Sequence, residues 1–425
     1  MFKETTSATP PILAPGMLTS GDTYVETYAE THARQEPASI LFVDQSGQLG
    51  GAEFSLMPLA ATWGARREVL LLSDGPFRER LESLGVPVSL ACEASVSGIR
   101  KDTLRLKWLG ALPGIVRQVR TIARHAKPFD VLFLNTQKAL VLGALGKPLH
   151  RKRIVWHLHD IMSSEHFGPL QRLVVRWLTR YAVDHVIANS RASADSLIVL
   201  AHCAPEDVPV VHNGIDLDAF SRANAPDMAA LRRQFGLPEN VYLAGLFGRL
   251  ARWKGQHIAL EALARVPDLH LVLVGSAMFG EDDYEKALHE QAARLGVSDR
   301  LIFAGFRDDM PAWMKAVDVI LHTSTEPEPF GRVIVEGMAA GRPVIASAAG
   351  GVTEIVNHGR NGWLVQPGNP AALADAIETV RRAPELAQDV ASRARDDAAQ
   401  RFSVDTYLNR MTNAIAGCAT RAHEA

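Results

Sequence analysis

What the chain lacks narrows its identity first. Its 425 residues include only 3 cysteines (Cys92, Cys203 and Cys418), far apart and in no CxxC arrangement. That excludes a disulfide framework and a cysteine-based zinc site, and it fits a reducing cytoplasm. No apolar run approaches the roughly 18 residues of a membrane span. Residues 1–37 are rich in Thr, Ser, Pro and Glu and contain no apolar h-region, so they read as a loose tail rather than a signal peptide. The formal net charge is only −2, so the chain as a whole is no polyelectrolyte. Aromatic residues make up just 7%, and few interleave the cations as a single-strand stacking surface would need. Nucleic acid is therefore not the expected partner.

What is present is a soluble α/β pattern. Short apolar runs at 39–44, 68–73, 130–135, 153–159, 185–189 and 208–212 read as buried strands, with helical periodicity between them, as in 170–182 and 191–201. After residue 216 the pattern begins again, with strands expected at 242–248, 269–275, 301–304, 317–322 and 343–347. Helices are expected near 255–265, 283–295, 331–340 and 371–382. Such alternation indicates two doubly wound parallel sheets, and 425 residues are too many for a single core. The expected organisation is a tail (1–37), a first Rossmann-like domain (38–213), a linker (214–238), a second such domain (239–400), and a final helical segment (401–425) that crosses back toward the first. In doubly wound sheets ligands bind outside the carboxyl ends of the strands, so two facing domains share one cleft.

The strongest motif is EPFGRVIVEGMAAGRPV (328–344), with Glu328 and Glu336 eight positions apart. Glu328 precedes a turn through Phe330 and Gly331, and Glu336 lies about one and a half turns inside the helix that the turn opens. Helix N-termini carry unpaired N–H groups and about half a positive charge, so the backbone of Gly331, Arg332 and Val333 is a candidate diphosphate site. Glu328 is placed to accept hydrogen bonds from a sugar attached to that diphosphate, and Glu336 to hold a ribose diol. The plainer alternative is an N-terminal carboxylate followed by a solvated helix glutamate. GRLARWKG (248–255) follows the first strand of the second domain, and there Arg249 and Lys254 can neutralise a diphosphate. The alternative is two solvated cations.

The segment 328–344 resembles that of the family 4 glycosyltransferases, retaining enzymes of the GT-B fold, over roughly residues 38–415. The resemblance implies that Glu328 contacts the donor sugar, Glu336 the ribose, and Arg249 and Lys254 the diphosphate. It implies that His159, in HLHD (157–160) at a strand end, lies near the reacting sugar. It also places the Gly50–Gly51 turn of QLGGAE (48–53) across the cleft beside the acceptor, and Gly275, Phe306 and Arg307 around the nucleobase. His157 shares its sheet face with His159 but is expected to pack in the core. A metal site at His157, His159 and Asp160 lacks a further ligand cluster. The implied activity is transfer, with retention, from a UDP- or GDP-sugar to a hydroxyl acceptor, without a cofactor or metal. The expected acceptor is a glycan or lipid-linked glycan in surface polysaccharide assembly in the cell envelope. A sugar-nucleotide epimerase and a non-catalytic scaffold of the same fold remain alternatives, whereas the long chain and pyridoxal-binding lysine segment of a phosphorylase are not evident. Gln48 and Leu49 depart from the lysine-containing version of this loop in glycogen and sucrose synthases.

Charge is unevenly spread. Residues 94–180 hold 16 Lys or Arg against 4 Asp or Glu. Arg117, Arg120, Arg124 and Lys127 recur at helical spacing among apolar residues, and Arg172, Arg176 and Arg180 form a second stripe beside Trp177. Such helices can lie against anionic lipid, so a cytoplasmic protein with peripheral contact at the inner face of the membrane is the expectation. A merely solvated surface is the alternative.

Overall fold

The computed structural model describes residues 38–91, 107–221, 228–277 and 281–420. Residues 94–106 of the basic region lie outside them, as does the 1–37 tail.

The first sheet contains β1 (Ile40–Asp44), β2 (Arg67–Leu71), β3 (Val88–Leu90), β4 (Val131–Leu134), β5 (Arg153–Leu158) and β6 (His185–Ala188), in the order β3-β2-β1-β4-β5-β6. The second contains β7 (Tyr242–Phe247), β8 (Leu269–Val274), β9 (Leu301–Gly305), β10 (Val319–His322), β11 (Val344–Ser347) and β12 (Trp363–Val365), in the order β12-β11-β10-β7-β8-β9. Every pairing is parallel. The two sheets repeat one topology, and in each the order reverses beside the unit's first strand. Loops leaving the two strands there diverge, which opens a crevice at β1/β4 and another at β7/β10.

Both faces of the sheets are covered, which is why the strands read as continuous apolar runs rather than alternating ones. Along β1, Leu41 and Val43 enter one core while Ile40 and Phe42 enter the other. Two sequence expectations fail at the sheet edges. The 208–212 run forms only an isolated bridge, Ala188 with Val210, because Pro209 lacks the N–H a ladder requires. The edge strands β3 and β12 were not anticipated, each being 3 residues long.

The stretch 214–238 carries two helices, Asp218–Ser221 and Met228–Phe235. Ile215, Phe220, Leu231 and Leu237 from this stretch join a core of the second unit. The last helix, Val404–Thr420, returns to the first unit. Tyr407, Leu408, Met411 and Ile415 complete a first-unit core, and the Tyr407 hydroxyl donates to the Ser55 carbonyl at 3.0 Å. Glu354 of the second unit accepts from the backbone N–H groups of Arg191 and Ala192, both at 2.9 Å, and lies 3.0 Å from His212 Nε2. A carboxylate thereby caps a helix of the other unit (Arg191–Ala201), where the helix dipole favours negative charge.

Candidate functional site

The carboxyl edges of the two sheets face one cleft of about 2860 Å³. His159, Arg249, Lys254, Glu328 and Glu336 all line it, as do Phe330, Gly331, Arg332 and Val333. Gly50, Gly51, Gly275, Phe306 and Arg307 complete the set, so residues spread over nearly 290 positions meet in one space.

Glu328 sits in the loop after β10, at its sheet's switch point. Its Oε2 accepts from Lys254 Nζ at 2.7 Å and from Ser324 Oγ at 3.0 Å, and lies 3.2 Å from His322 Nε2. Burial alone would raise this carboxyl, but Lys254 and His322 override it and hold the group well below the usual carboxylate range. Glu328 is thus a buried, ionised, firmly oriented acceptor. Gly331 follows, with φ of 103°. That left-handed conformation suits glycine, and a Cβ there would also lie 3.0 Å from Ile334. The turn starts the Arg332–Ala339 helix, whose N-terminus opens onto the cleft. Across the sheet, a Cβ on Gly275 would fall 2.0 Å from the Gly248 carbonyl. The loop carrying Arg249 and the loop after β8 can therefore touch only because Gly275 carries no side chain there.

Several expected residues have placements the sequence did not disclose. The Phe330 ring is buried, stacked on His212 with centroids 5.8 Å apart and edge-on to Phe402, so only its backbone is available to a ligand. The Arg332 guanidinium is likewise engaged. It donates to the Gly214 carbonyl at 3.1 Å, lies 3.5 Å from Glu336 Oε1, and stands 5.4 Å over the Phe54 ring of the first unit. Burial pushes the Glu336 carboxyl up, and Arg332 opposes that shift. Phe306 is 70% exposed and Arg307 lies over the Trp313 ring at 5.1 Å. His157 is fully buried, and neither ring nitrogen has a hydrogen-bond partner. Among the described residues no group of three or more His, Cys, Asp or Glu is arranged to hold a metal ion.

The first unit contributes a polar chain that the sequence reading missed. Asn135 donates from Nδ2 to Asp44 Oδ2 at 2.7 Å and to the Ala52 carbonyl at 3.2 Å. Its Oδ1 lies 3.0 Å from His159 Nε2. The two acceptors around Nδ2 settle the amide orientation, since the flipped amide would oppose oxygen to oxygen. Oδ1 is therefore an acceptor, Nε2 carries the His159 proton, and Nδ1 presents a lone pair. Nδ1 is buried without a partner. Burial, helped by the Arg332 charge, lowers the His159 pKa to about 3, so the ring stays neutral at any working pH. Asp44 and Asn135 each end an apolar run at the switch point. That placement was the available signal.

Beside this chain lies a second buried acid. Burial, then the Asp44 charge, pushes the Glu53 carboxyl up to about 8, against hydrogen bonds from the Glu53 and Gly50 backbone. Burial also raises Asp44 to about 6. Between about 4.5 and about 8 the folded protein holds a proton on Glu53 that the unfolded chain releases. The stability this group contributes is therefore complete below the lower value and is lost as pH rises through the upper one. Glu53→Gln is expected to remove that slope, raising stability at pH 8 by about 4 kcal/mol relative to pH 5. Thermal melts across pH read it, and parallel wild-type and variant curves would show that Glu53 titrates normally.

Comparison with known proteins identifies the family and the fold. The model for "Glycosyl transferases group 1" matches residues 227–397, and that for "Glycosyltransferase Family 4" matches residues 49–219. A D-inositol 3-phosphate glycosyltransferase of Stackebrandtia nassauensis is 30% identical, over 75% of this chain and 74% of its own length. Its counterpart from Mycolicibacterium gilvum is 33% identical, over 78% and 76% respectively. Among solved structures, Anabaena HepE in complex with UDP-glucose superposes with a TM-score of 0.80 at 40% identity, covering 89% of this chain and all of that one. A sucrose-phosphate synthase from Thermosynechococcus elongatus, 20% identical with a TM-score of 0.74 over 88% of this chain and 98% of its own, shares the fold.

Proposed function

Because the chain belongs to glycosyltransferase family 4, we propose that it moves a hexosyl group, with retained configuration, from a UDP-sugar to a hydroxyl acceptor. The observation that carries this reading is the Lys254–Glu328 pair at the mouth of the Arg332–Ala339 helix, a cation and an oriented acceptor around one N-terminal anion site. Similarity to HepE, crystallised with UDP-glucose, favours uridine and glucose over guanosine donors.

In this reading the diphosphate lies on the N–H groups of Gly331, Arg332 and Val333 and is neutralised by Arg249 and Lys254, without a divalent ion. Glu328 accepts from donor-sugar hydroxyls, Glu336 from the ribose, and His159 Nδ1 from a further sugar hydroxyl. Gly275, Phe306 and Arg307 border the base, with the exposed Phe306 ring as its stacking surface, while Gly50 and Gly51 border the acceptor. The acceptor hydroxyl attacks the anomeric carbon on the face from which the diphosphate departs, and its proton passes to the leaving phosphate oxygen.

Among the described residues no helix is long and apolar enough to cross a membrane. The exposed Arg117, Arg120, Arg124, Arg176 and Arg180 suit peripheral contact with an anionic membrane, and thus a lipid-linked glycan acceptor at the cytoplasmic face, in surface polysaccharide assembly. A second reading, transfer to an inositol phosphate, is favoured by the names of the relatives at 30–33% identity.

The test is binding and slow hydrolysis of UDP-, GDP- and ADP-sugars with EDTA present, and with inositol phosphate offered as acceptor in a parallel arm. Selective UDP-glucose turnover that survives EDTA and is weakened by Glu336→Ala supports the reading. No binding to any nucleotide sugar by folded protein would return the scaffold alternative.

A further inference from the structure

The cleft continues beyond the transfer chemistry. On the first-unit side it runs on as a groove along the helix Gln137–Leu145, which packs between the helices Lys107–Ala126 and Pro169–Tyr181. Val141, Leu142 and Val174 line it, with Ile115, Leu145 and Leu173 beside them. A nucleotide sugar has no aliphatic chain to set against such walls. Leu145, Leu173 and Trp177 are nevertheless left 49%, 60% and 57% exposed, a cost a monomer carries where something apolar binds.

The inner end of the groove differs in chemistry. Thr136 is the N-cap of the Gln137–Leu145 helix, the position from which a threonine ordinarily accepts a first-turn N–H. It makes no such bond, and its hydroxyl is buried with no partner at all. Lys138 stands in the same first turn, and both residues line the cleft. A buried unsatisfied hydroxyl is costly. Here it coincides with a helix N-terminus, a cation and the start of an apolar channel, and each of these features suits one part of a lipid phosphate.

The geometry points to a lipid-phosphate site: the phosphate of a lipid-linked acceptor sits at Thr136 and Lys138, and its hydrocarbon chain runs along the groove past Val141, Leu145 and Leu173. The proposal rests on the transferase reading, since it names that reaction's acceptor. The Gln137–Leu145 helix is 9 residues long, so it guides about 13 Å of chain, and the rest of a longer chain leaves across Leu170, Trp177 and Tyr181. Those three recur along one exposed stripe of the Pro169–Tyr181 helix, next to the face carrying Arg176 and Arg180. The chain would therefore emerge where the protein meets an anionic surface. The attachment point of the sugar lies between Thr136 and His159, both on the carboxyl edge of the first sheet, which brings the sugar's hydroxyl to the donor.

Equilibrium binding of geranylgeranyl phosphate to the full chain, with UDP saturating the donor site, tests this. Geranylgeraniol and inorganic phosphate serve as the two half-probes. The expected result is saturable binding of the lipid phosphate, at least tenfold tighter than either half-probe. The double variant Leu145→Glu, Leu173→Glu and the single variant Lys138→Glu should each weaken it tenfold or more while leaving UDP affinity unchanged. Both leucines are exposed, so those variants should fold. Lipid-phosphate binding that is equal in wild type and both variants, or absent while UDP binds, overturns the groove site. Failure of UDP itself to bind would instead remove the transferase reading beneath it.

Discussion

Lys254→Ala is expected to lower kcat/KM for sugar transfer by about 10²–10³-fold and to lower the melting temperature in the same protein. The two losses share one cause. Lys254 lies 2.7 Å from Glu328 Oε2, and the two side chains are only 19% and 12% exposed. In the proposed reaction, removing the ammonium takes away a preorganised cation from the position where leaving-group charge develops. It also strands a buried carboxylate with His322 and Ser324 alone, and breaking a pair of this kind costs about 3–5 kcal/mol. Glu328 should then lose part of the effect that keeps it ionised, so acidification below the ordinary carboxylate range should cost the variant less stability than it costs the wild type. Lys254→Arg preserves the charge and should recover most of the stability but less of the rate, because a planar fork does not reproduce a point charge. A Lys254→Ala enzyme with unchanged melting and less than a fivefold kinetic loss would make Lys254 a solvated surface cation.

A comparable loss is expected at His159, with a different signature. His159→Phe keeps the ring volume but removes the Nδ1 lone pair, and should lower kcat by about 10²-fold. His159→Asn restores an acceptor and should recover part of it. Asn135→Ala leaves the imidazole in place but deletes the group that fixes the proton on Nε2, so the wrong tautomer becomes accessible. Its loss should appear in kcat, with donor affinity little changed. Because His159 is held near 3, the wild-type rate profile should show no imidazole inflection between about pH 5 and 8. An inflection near 6.5 that disappears in His159→Phe would mean that the ring titrates during turnover.

Much of this site was legible in the sequence because its chemistry is carried by backbone-setting residues close together in the chain. Gly331 between Glu328 and Glu336, and Gly248 before Arg249 and Lys254, mark turns at strand ends, and a turn at a strand end in a doubly wound sheet is already at the ligand edge. What escaped was tertiary. Asn135 acts on His159 from a neighbouring strand, Asp44 on Asn135 from the next, and no spacing rule connects residues 44, 135 and 159. Phe330 shows the converse: its place in the motif is plain from the sequence, but the ring faces His212 and Phe402, a direction set by packing between the units. Short edge strands such as β3 and β12 escaped because 3 residues cannot show a period.

The returning C-terminal helix sets the order of folding against the order of synthesis. Tyr407, Leu408, Met411 and Ile415 fill a core whose other walls are Ile40, Phe42, Leu56 and Phe133, and the Tyr407–Ser55 bond closes a loop of 352 residues. Domains emerging from the ribosome ordinarily fold N-terminal first. Here the unit made first keeps an open apolar face until the last helix has been translated, so the second unit can complete its own sheet while the first is still waiting. The chain's final turns thereby act as the latch on its earliest structure.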